Sequence, residues 1–244
     1  MYLTTQALVL RVTDYNDRDA LLTLLTKEYG KLTVKARGLR RKNSPLIAPC
    51  QLLAYGEFTL FEYRGMYTIN EAHSIELFQQ LRRDLTKLSL GTYFAQVAEL
   101  VSQEDLPNPE LLSLVLNCLF GLSKLNVSEL QVKAVFELRC ACLAGYTPDL
   151  LGCRVCGSHE PVFFDLSGGS LLCKSCQNHG IRMPINAGVL EAMGYIVTCD
   201  ARKLFSFSIG SENLEQLSTL TESYLTTQLE RGFSTLDFYK SLLI

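Results

Sequence analysis

A period of two dominates the first eighty residues. Ala7-Leu-Val-Leu-Arg-Val12 and Ala20-Leu-Leu-Thr-Leu-Leu-Thr26 read as strands joined by the polar turn Asp14-Tyr-Asn-Asp-Arg-Asp19. Beyond a turn at Tyr29-Gly30 comes the most regular stretch, where Leu32, Val34 and Ala36 alternate with Lys31, Thr33, Lys35 and Arg37. Successive strand residues point to opposite faces, so the apolar set enters a core and the basic set faces away from it. Gly38-Leu-Arg-Arg-Lys-Asn-Ser44 reads as a flexible basic loop. Further strands are expected over 52–55, 57–63 and 66–75, the last two joined by Arg64-Gly65. Short strands in this number, without long helices, fit a small closed β-barrel of the OB kind; an SH3-like barrel gives a similar pattern.

Near residue 80 the apolar period lengthens to that of a helix. Asp84 is placed to cap a helix carrying Leu85, Leu88, Phe94, Val97, Ala98 and Val101, which ends before Pro107. A second begins near Pro109-Glu110 and carries the face from Leu111 to Leu122. A third, with Ser128 as N-cap, carries Leu130, Val135, Phe136, Leu138, Ala141 and Leu143 and stops at Gly145. Helices resume after Pro184, through Gly188 to Val197, then along Leu214, Leu217, Thr221, Tyr224 and Leu225, with a short last one after Ser234. The expected class is therefore α+β. Residues 1–80 form a barrel domain and 81–244 a helical domain, interrupted by an insert at about 150–182.

That insert carries the sharpest chemical signal. Cys153-Arg-Val-Cys156-Gly157 is followed by Cys173-Lys-Ser-Cys176, with sixteen residues between the two pairs. Each CxxC can wrap two sulfurs around one side of a metal, and a segment of this length can fold back to complete a tetrahedron. Val162–Leu166, Ser167-Gly-Gly169 and Ser170–Leu172 read as strand, tight turn and strand. A two-stranded hairpin is marginal alone, so a structural Zn2+ with Cys153, Cys156, Cys173 and Cys176 as ligands supplies the missing stability. Four thiolates leave no open position for an activated water. A redox CxxC comes singly at a helix start, and two disulfides need an oxidising compartment. His159 and His179 each follow a CxxC by three residues and could replace a cysteine as ligand, but are expected to be loop residues beside the site.

The chain of 244 residues is 48% hydrophobic, ordinary for a globular protein able to bury a sizeable core. Its most apolar run, Leu111–Phe120, is too short for a bilayer. The start, Met1-Tyr-Leu-Thr-Thr-Gln, has no signal-peptide pattern, which points to the cytoplasm, where thiols stay reduced. Cys50, Cys118, Cys140, Cys142 and Cys199 are then small core residues. The net charge of −2 hides an asymmetry: residues 1–50 hold nine Lys and Arg against four Asp and Glu, the remainder fourteen against twenty-one. A basic start on an acidic remainder suggests that one end meets a polyanion.

The candidate polyanion surface is Lys31, Lys35 and Arg37 on the strand, continued by Arg40, Arg41 and Lys42. Such side chains can follow a phosphate backbone without reading sequence. Aromatic rings would add base stacking. Phe61 and Tyr63 share a strand face with Glu57 and Thr59, and Tyr55, Phe58 and Tyr67 are further candidates, but a small barrel needs rings in its core and burial is expected for each. Walker A, GxSxG, HExxH and zinc-deaminase patterns are all missing, and three histidines are scattered at 73, 159 and 179. No enzymatic activity is expected. A second reading is a zinc-ribbon scaffold that binds only proteins.

Several stretches together resemble the RecO family of bacterial recombination and repair proteins. They are Tyr15-Asn-Asp-Arg-Asp-Ala20, Thr26-Lys-Glu-Tyr-Gly-Lys31, Ala36-Arg-Gly-Leu-Arg-Arg-Lys-Asn-Ser44, Gly145-Tyr-Thr-Pro-Asp149 leading into the first CxxC, and Phe163-Phe164 with Gly168-Gly169 leading into the second. The resemblance implies an N-terminal OB fold, a helical domain and a zinc element in a non-enzymatic recombination mediator. It implies binding of single- and double-stranded DNA, annealing of complementary strands, and cooperation with RecR in loading RecA onto DNA coated by single-stranded DNA-binding protein (SSB), whose acidic, apolar C-terminal tail the helical domain would capture. Lys35, Arg37, Arg40, Arg41 and Lys42 match the family's basic surface, and the four cysteines its zinc ligands. Where the family usually has a Glu after Tyr15, this chain has Asn16-Asp17.

Overall fold

The computed structural model describes residues 1–176 and 181–243. Strands β1 (Tyr2–Asp14), β2 (Ala20–Thr26), β3 (Lys31–Ala36), β4 (Tyr55–Tyr63) and β5 (Met66–Glu76) close a barrel in the order β1-β2-β3-β5-β4. The parallel β3–β5 pairing closes it, and every other contact is antiparallel. The period-two set of β3 enters the barrel as expected, since Leu32, Val34 and Ala36 join Ala7, Val9, Leu22, Leu24, Phe58, Leu60 and Ile69 in one core. Alternation fails where β1 and β2 read as continuous apolar runs. There Leu8, Leu10 and Leu25 on the other face are buried too, because α1 (Leu85–Val101) packs on β1 and α2 (Pro109–Lys124) on β2.

The strand expected over 52–55 does not form. Residues 37–54 are a succession of turns in which Leu46, Cys50 and Ala54 enter the barrel core. Residues Leu53 and Ala54 still meet β1: the Leu53 amide donates to the Val9 carbonyl and the Val9 amide to the Ala54 carbonyl, each at 2.9 Å. These two bonds continue the β1–β4 register beyond Leu8 and Tyr55 and fall where β1 bulges between Val9 and Arg11.

The chain divides into two compact units, residues 1–124 with 233–244, and residues 125–232. The division falls between α2 and α3, away from the change of period near residue 80. In the first unit the Asp84 carboxylate accepts from the Lys87 amide at 3.1 Å and so starts α1, worth about 1 kcal/mol for such a cap. Asn108 does the same for Leu111 and α2 at 2.9 Å. The last helix, α6 (Ser234–Ser241), packs on α1, where Phe233 meets the buried Tyr93 edge-on at 5.5 Å.

The second unit holds α3 (Glu129–Leu143), α4 (Ala187–Thr198) and α5 (Ser211–Gln228), with a four-stranded sheet ordered β6-β8-β7-β9. Its strands are β6 (Asp149–Cys153), β7 (Pro161–Asp165), β8 (Ser170–Cys173) and β9 (Arg182–Pro184). The β7–β8 hairpin is the one the sequence predicts. At its turn Gly169 has φ 58°, and a Cβ there would lie 2.6 Å from the Tyr224 hydroxyl, so the position takes glycine on both counts.

Between α3 and α5 lies a charge cluster that the sequence reading did not anticipate. Lys133 is 2% exposed and Glu137 fully buried. The Lys133 ammonium is 3.0 Å from Glu137 and 2.8 Å from Glu222, and the Thr221 hydroxyl donates to Glu137 at 2.9 Å. Burial works against its charge, but the two carboxylates outweigh that and raise the Lys133 pKa, while burial pushes the fully enclosed Glu137 carboxyl up. Among the described residues no helix is long and apolar enough to cross a membrane.

Candidate metal centre and nucleic-acid interface

The four cysteines of the insert converge. Their sulfurs all lie within 4.8 Å of one another, and Cys156 and Cys173 are 3.6 Å apart. Four sulfurs at about 2.3 Å from a zinc form a tetrahedron with edges of about 3.8 Å, so the donor set and its spacing fit a closed metal site. Local folding produces this. In the first pair the Gly157 amide donates back to the Cys153 carbonyl at 2.8 Å, and Gly157 has φ 73°, the left-handed turn that brings Cys156 around. Cys173 ends β8 opposite Pro161 of β7, and Lys174–Cys176 form a single turn of 3-10 helix.

The electrostatics point the same way. Amides of Cys173 and Cys156 hold the Cys153 thiol down to about 6, whereas crowding by the Cys156 and Cys173 sulfurs pushes Cys176 up to about 12. The Cys153 and Cys173 thiols are both held below the ordinary range, but four thiolates side by side repel, and a cation among them would remove that conflict. Arg154 braces the element by pairing with the buried Asp165 at 3.5 Å. His159 is exposed and outside the cluster, and His179 lies outside the described residues. Of the remaining cysteines, Cys50, Cys118 and Cys140 are buried, while Cys142 and Cys199 are partly so.

The basic residues separate into two sets. Lys31 and Lys35 both turn out of the barrel, yet each is engaged within the fold. Lys31 donates to the Glu99 carbonyl at 3.1 Å, and Lys35 pairs with Asp19 at 3.2 Å with only 20% of its side chain exposed. Arg37, Arg41 and Lys42 are exposed and form no salt bridge among the described residues; Arg40 is exposed too, paired with the open Asp14 at 2.9 Å.

The segment that carries this second set is braced, in contrast to the flexible loop expected from its composition. The Gly38 amide donates to the Asp19 carboxylate at 2.9 Å, and the Arg40 amide to the Arg18 carbonyl at 3.1 Å. Arg41 and Ser44 continue the turns through bonds to the Gly38 and Arg41 carbonyls at 3.1 and 3.0 Å. Arg18, exposed on the 15–19 turn beside them, is a cation that the sequence reading passed over. Its only sequence signal is its place in a polar turn preceding a strand. The Gly38 amide, then Asn16 and Lys35, hold the Asp19 carboxyl down to about 2.

The aromatic candidates also separate. Phe58 is fully buried, and Tyr67 packs partly into the barrel core. Phe61 and Tyr63 are not buried, contrary to expectation: they are 38% and 58% exposed. Register decides it, because Phe58 and Leu60 take the inward positions of β4 and leave the odd-numbered side chains outside.

A closed five-stranded barrel bearing solvent-facing cations on braced turns, together with helices and a four-cysteine cluster, defines a mixed α+β protein. Comparison with known proteins makes this specific. Residues 1–78 match the family model "Recombination protein O N terminal" and residues 82–237 match "Recombination protein O C terminal". A DNA repair protein RecO from Acetivibrio thermocellus is 35% identical over 244 residues, covering 99% of this chain and 97% of the relative. One from Alkaliphilus metalliredigens is 30% identical over 248 residues, with 99% and 100% covered. Another from a Thermoanaerobacter species is 28% identical, with 98% of each covered. The chain belongs to the RecO family of DNA repair proteins.

Proposed function

We propose that this chain is a recombination mediator that works without making or breaking covalent bonds. Its first eighty residues act as the nucleic-acid-binding domain, gripping single- and double-stranded DNA irrespective of sequence. It anneals complementary strands and, with RecR, helps load RecA onto DNA coated by SSB, whose C-terminal tail it engages. The setting is the cytoplasm, on the nucleoid when DNA is bound. The observation that supports this best is the set of exposed cations Arg37, Arg41 and Lys42, which form no salt bridge among the described residues, with Arg18 and the Asp14-paired Arg40, on turns tied to the barrel. Exposed cations are open to neutralise phosphates, and a surface that neutralises two strands together lowers their mutual repulsion during pairing.

Five such contacts give a log–log salt slope of about −3.5 for single strands. A slope near zero would remove the surface from DNA binding. Lys31 and Lys35, engaged inside the fold, contribute placement more than contact. Cys153, Cys156, Cys173 and Cys176 hold one structural zinc, which when bound supplies charge neutralisation and a cross-link and no chemistry.

Strand annealing on SSB-coated DNA, with and without RecR, tests binding, partner and activity together. A scaffold that binds only proteins through its cysteine element is the competing reading, and a gel shift with a single-stranded oligonucleotide separates the two.

A further inference from the structure

The outside of the barrel carries a row of side chains that a phosphate grip does not use. Strand register sets it. Lys35 of β3 lies opposite Thr68 of β5, Thr68 opposite Phe61 of β4, and Phe61 opposite Tyr2 of β1. The sequence neighbours Val34, Ile69 and Leu60 point into the core, so this row faces outward. Tyr2 is 61% exposed, and its ring lies 5.1 Å from that of Phe61 with the planes at 49°. Tyr63 extends the surface toward the β4–β5 turn, where the Arg64 guanidinium sits 5.1 Å over its ring. At the far end of the row the Lys35 ammonium lies 4.5 Å over the exposed ring of Tyr15.

Single exposed rings are unremarkable on a soluble protein, but adjacent ones in strand register, with the exposed Arg64 guanidinium beside them, mark a binding surface. They are not surplus from the core, which Phe58 and the aliphatic residues fill. The exposed Arg64 decides the occupant. An apolar protein patch would be matched without it, whereas every unpaired nucleotide brings a π-face and a phosphate together. The nearby acids stand off the row: Glu62 alternates with Phe61 and Tyr63 onto the other face of β4, and Glu71 lies opposite Thr59, two residues along, beside His73 at 3.0 Å.

We infer that Tyr2, Phe61 and Tyr63 form a stacking platform for unpaired nucleobases. Resting on the DNA-binding reading proposed above, the inference adds a means of discrimination: single strands are held by base and backbone, duplex by backbone alone. In a duplex the base faces are already covered by their neighbours, so the rings have nothing to hold.

The chain contains no tryptophan, so Phe61→Trp places a single reporter on the platform. Titration with oligo(dT) should quench its emission, and a duplex of equal length should leave it unchanged. Replacing Phe61 and Tyr63 together by Ala should lower oligo(dT) affinity by at least about 10-fold, with duplex affinity within about 2-fold. Phe61→Leu keeps apolar bulk without a ring, so a loss there excludes misfolding as the cause. Equal losses for both polymers, or none for either, would overturn the platform while leaving the phosphate grip standing. Retained oligo(dT) binding with lost RecR-dependent annealing would give the patch to a protein partner and also overturn it. If the unaltered chain bound neither polymer, the DNA-binding reading itself would fail and the platform with it.

Discussion

Lysine and arginine meet opposite fates in two regions of this molecule. Lys133, enclosed between α3 and α5, has Glu137, Glu222 and Ser218 within hydrogen-bonding reach. Arg37, Arg41 and Lys42, on the turns after β3, have no acidic partner in salt-bridge range among the described residues. Burial explains the first, because an ammonium removed from water must be matched within the fold or lose its charge. Exposure permits the second, since water solvates an unmatched cation until a better partner comes. The cysteine cluster is a third case, thiols gathered so closely that a cation from outside the chain could join them. Charge matched inside the chain is therefore structural, and exposed charge left unmatched among the described residues stays open to a partner from outside it.

The metal centre should give the largest effect. Cys173→Ser should take bound zinc from about one equivalent to none by atomic absorption and expose the 149–184 sheet to protease. Unchanged metal content would break the parallel between thiolates and arginines. Lys133→Ala should follow, lowering stability in urea by about 3–5 kcal/mol, because Glu137 is left without its counter-ion. Lys133→Met combined with Glu137→Leu should recover most of that loss.

Arg37, Arg41 and Lys42 replaced together by Ala should leave the urea midpoint where it was and flatten the single-strand salt slope by about 2. A large loss of stability instead would mean that these cations are matched after all. The smallest effect concerns Asp19. Its carboxyl is depressed from the ordinary 3.8 to about 2, so its stabilising contribution is complete above about pH 4 and is lost as the pH falls through 2. Carbon-13 NMR of the side chain should show a midpoint near 2, and a midpoint near 4 would mean that the Gly38 and Lys35 ties are absent in solution.

Much of this was legible in the chain. The period-two face of β3 placed its core residues correctly, Asp84 and the Pro109 signal marked two helix starts, and the CxxC spacing foretold the cysteine cluster. What stayed hidden depended on distant partners. Strand periodicity sends Lys31 and Lys35 outward but says nothing of Glu99 or Asp19, which claim them. Lys133 and Glu137 stand four apart on a helix, a spacing usually seen on solvated surfaces. Only the packing of α5 over that face shows that they are buried. The run over 52–55 looked like a strand because Ala54 enters the barrel and Leu53 is buried beside Gly91 of α1, both from turns, which period alone does not distinguish.

Asp19 reaches further than its modest stability would suggest. One carboxylate receives the Gly38 amide, the Asn16 side chain and the Lys35 ammonium, and so fastens the turn before β2 to the start of the arginine segment. The positive groups are thus mounted on a stiff bracket at a set spacing before any polymer arrives. A bracket of that kind spares a polymer the entropy of arranging its own receptor, so tight association does not require the loop to fold around it.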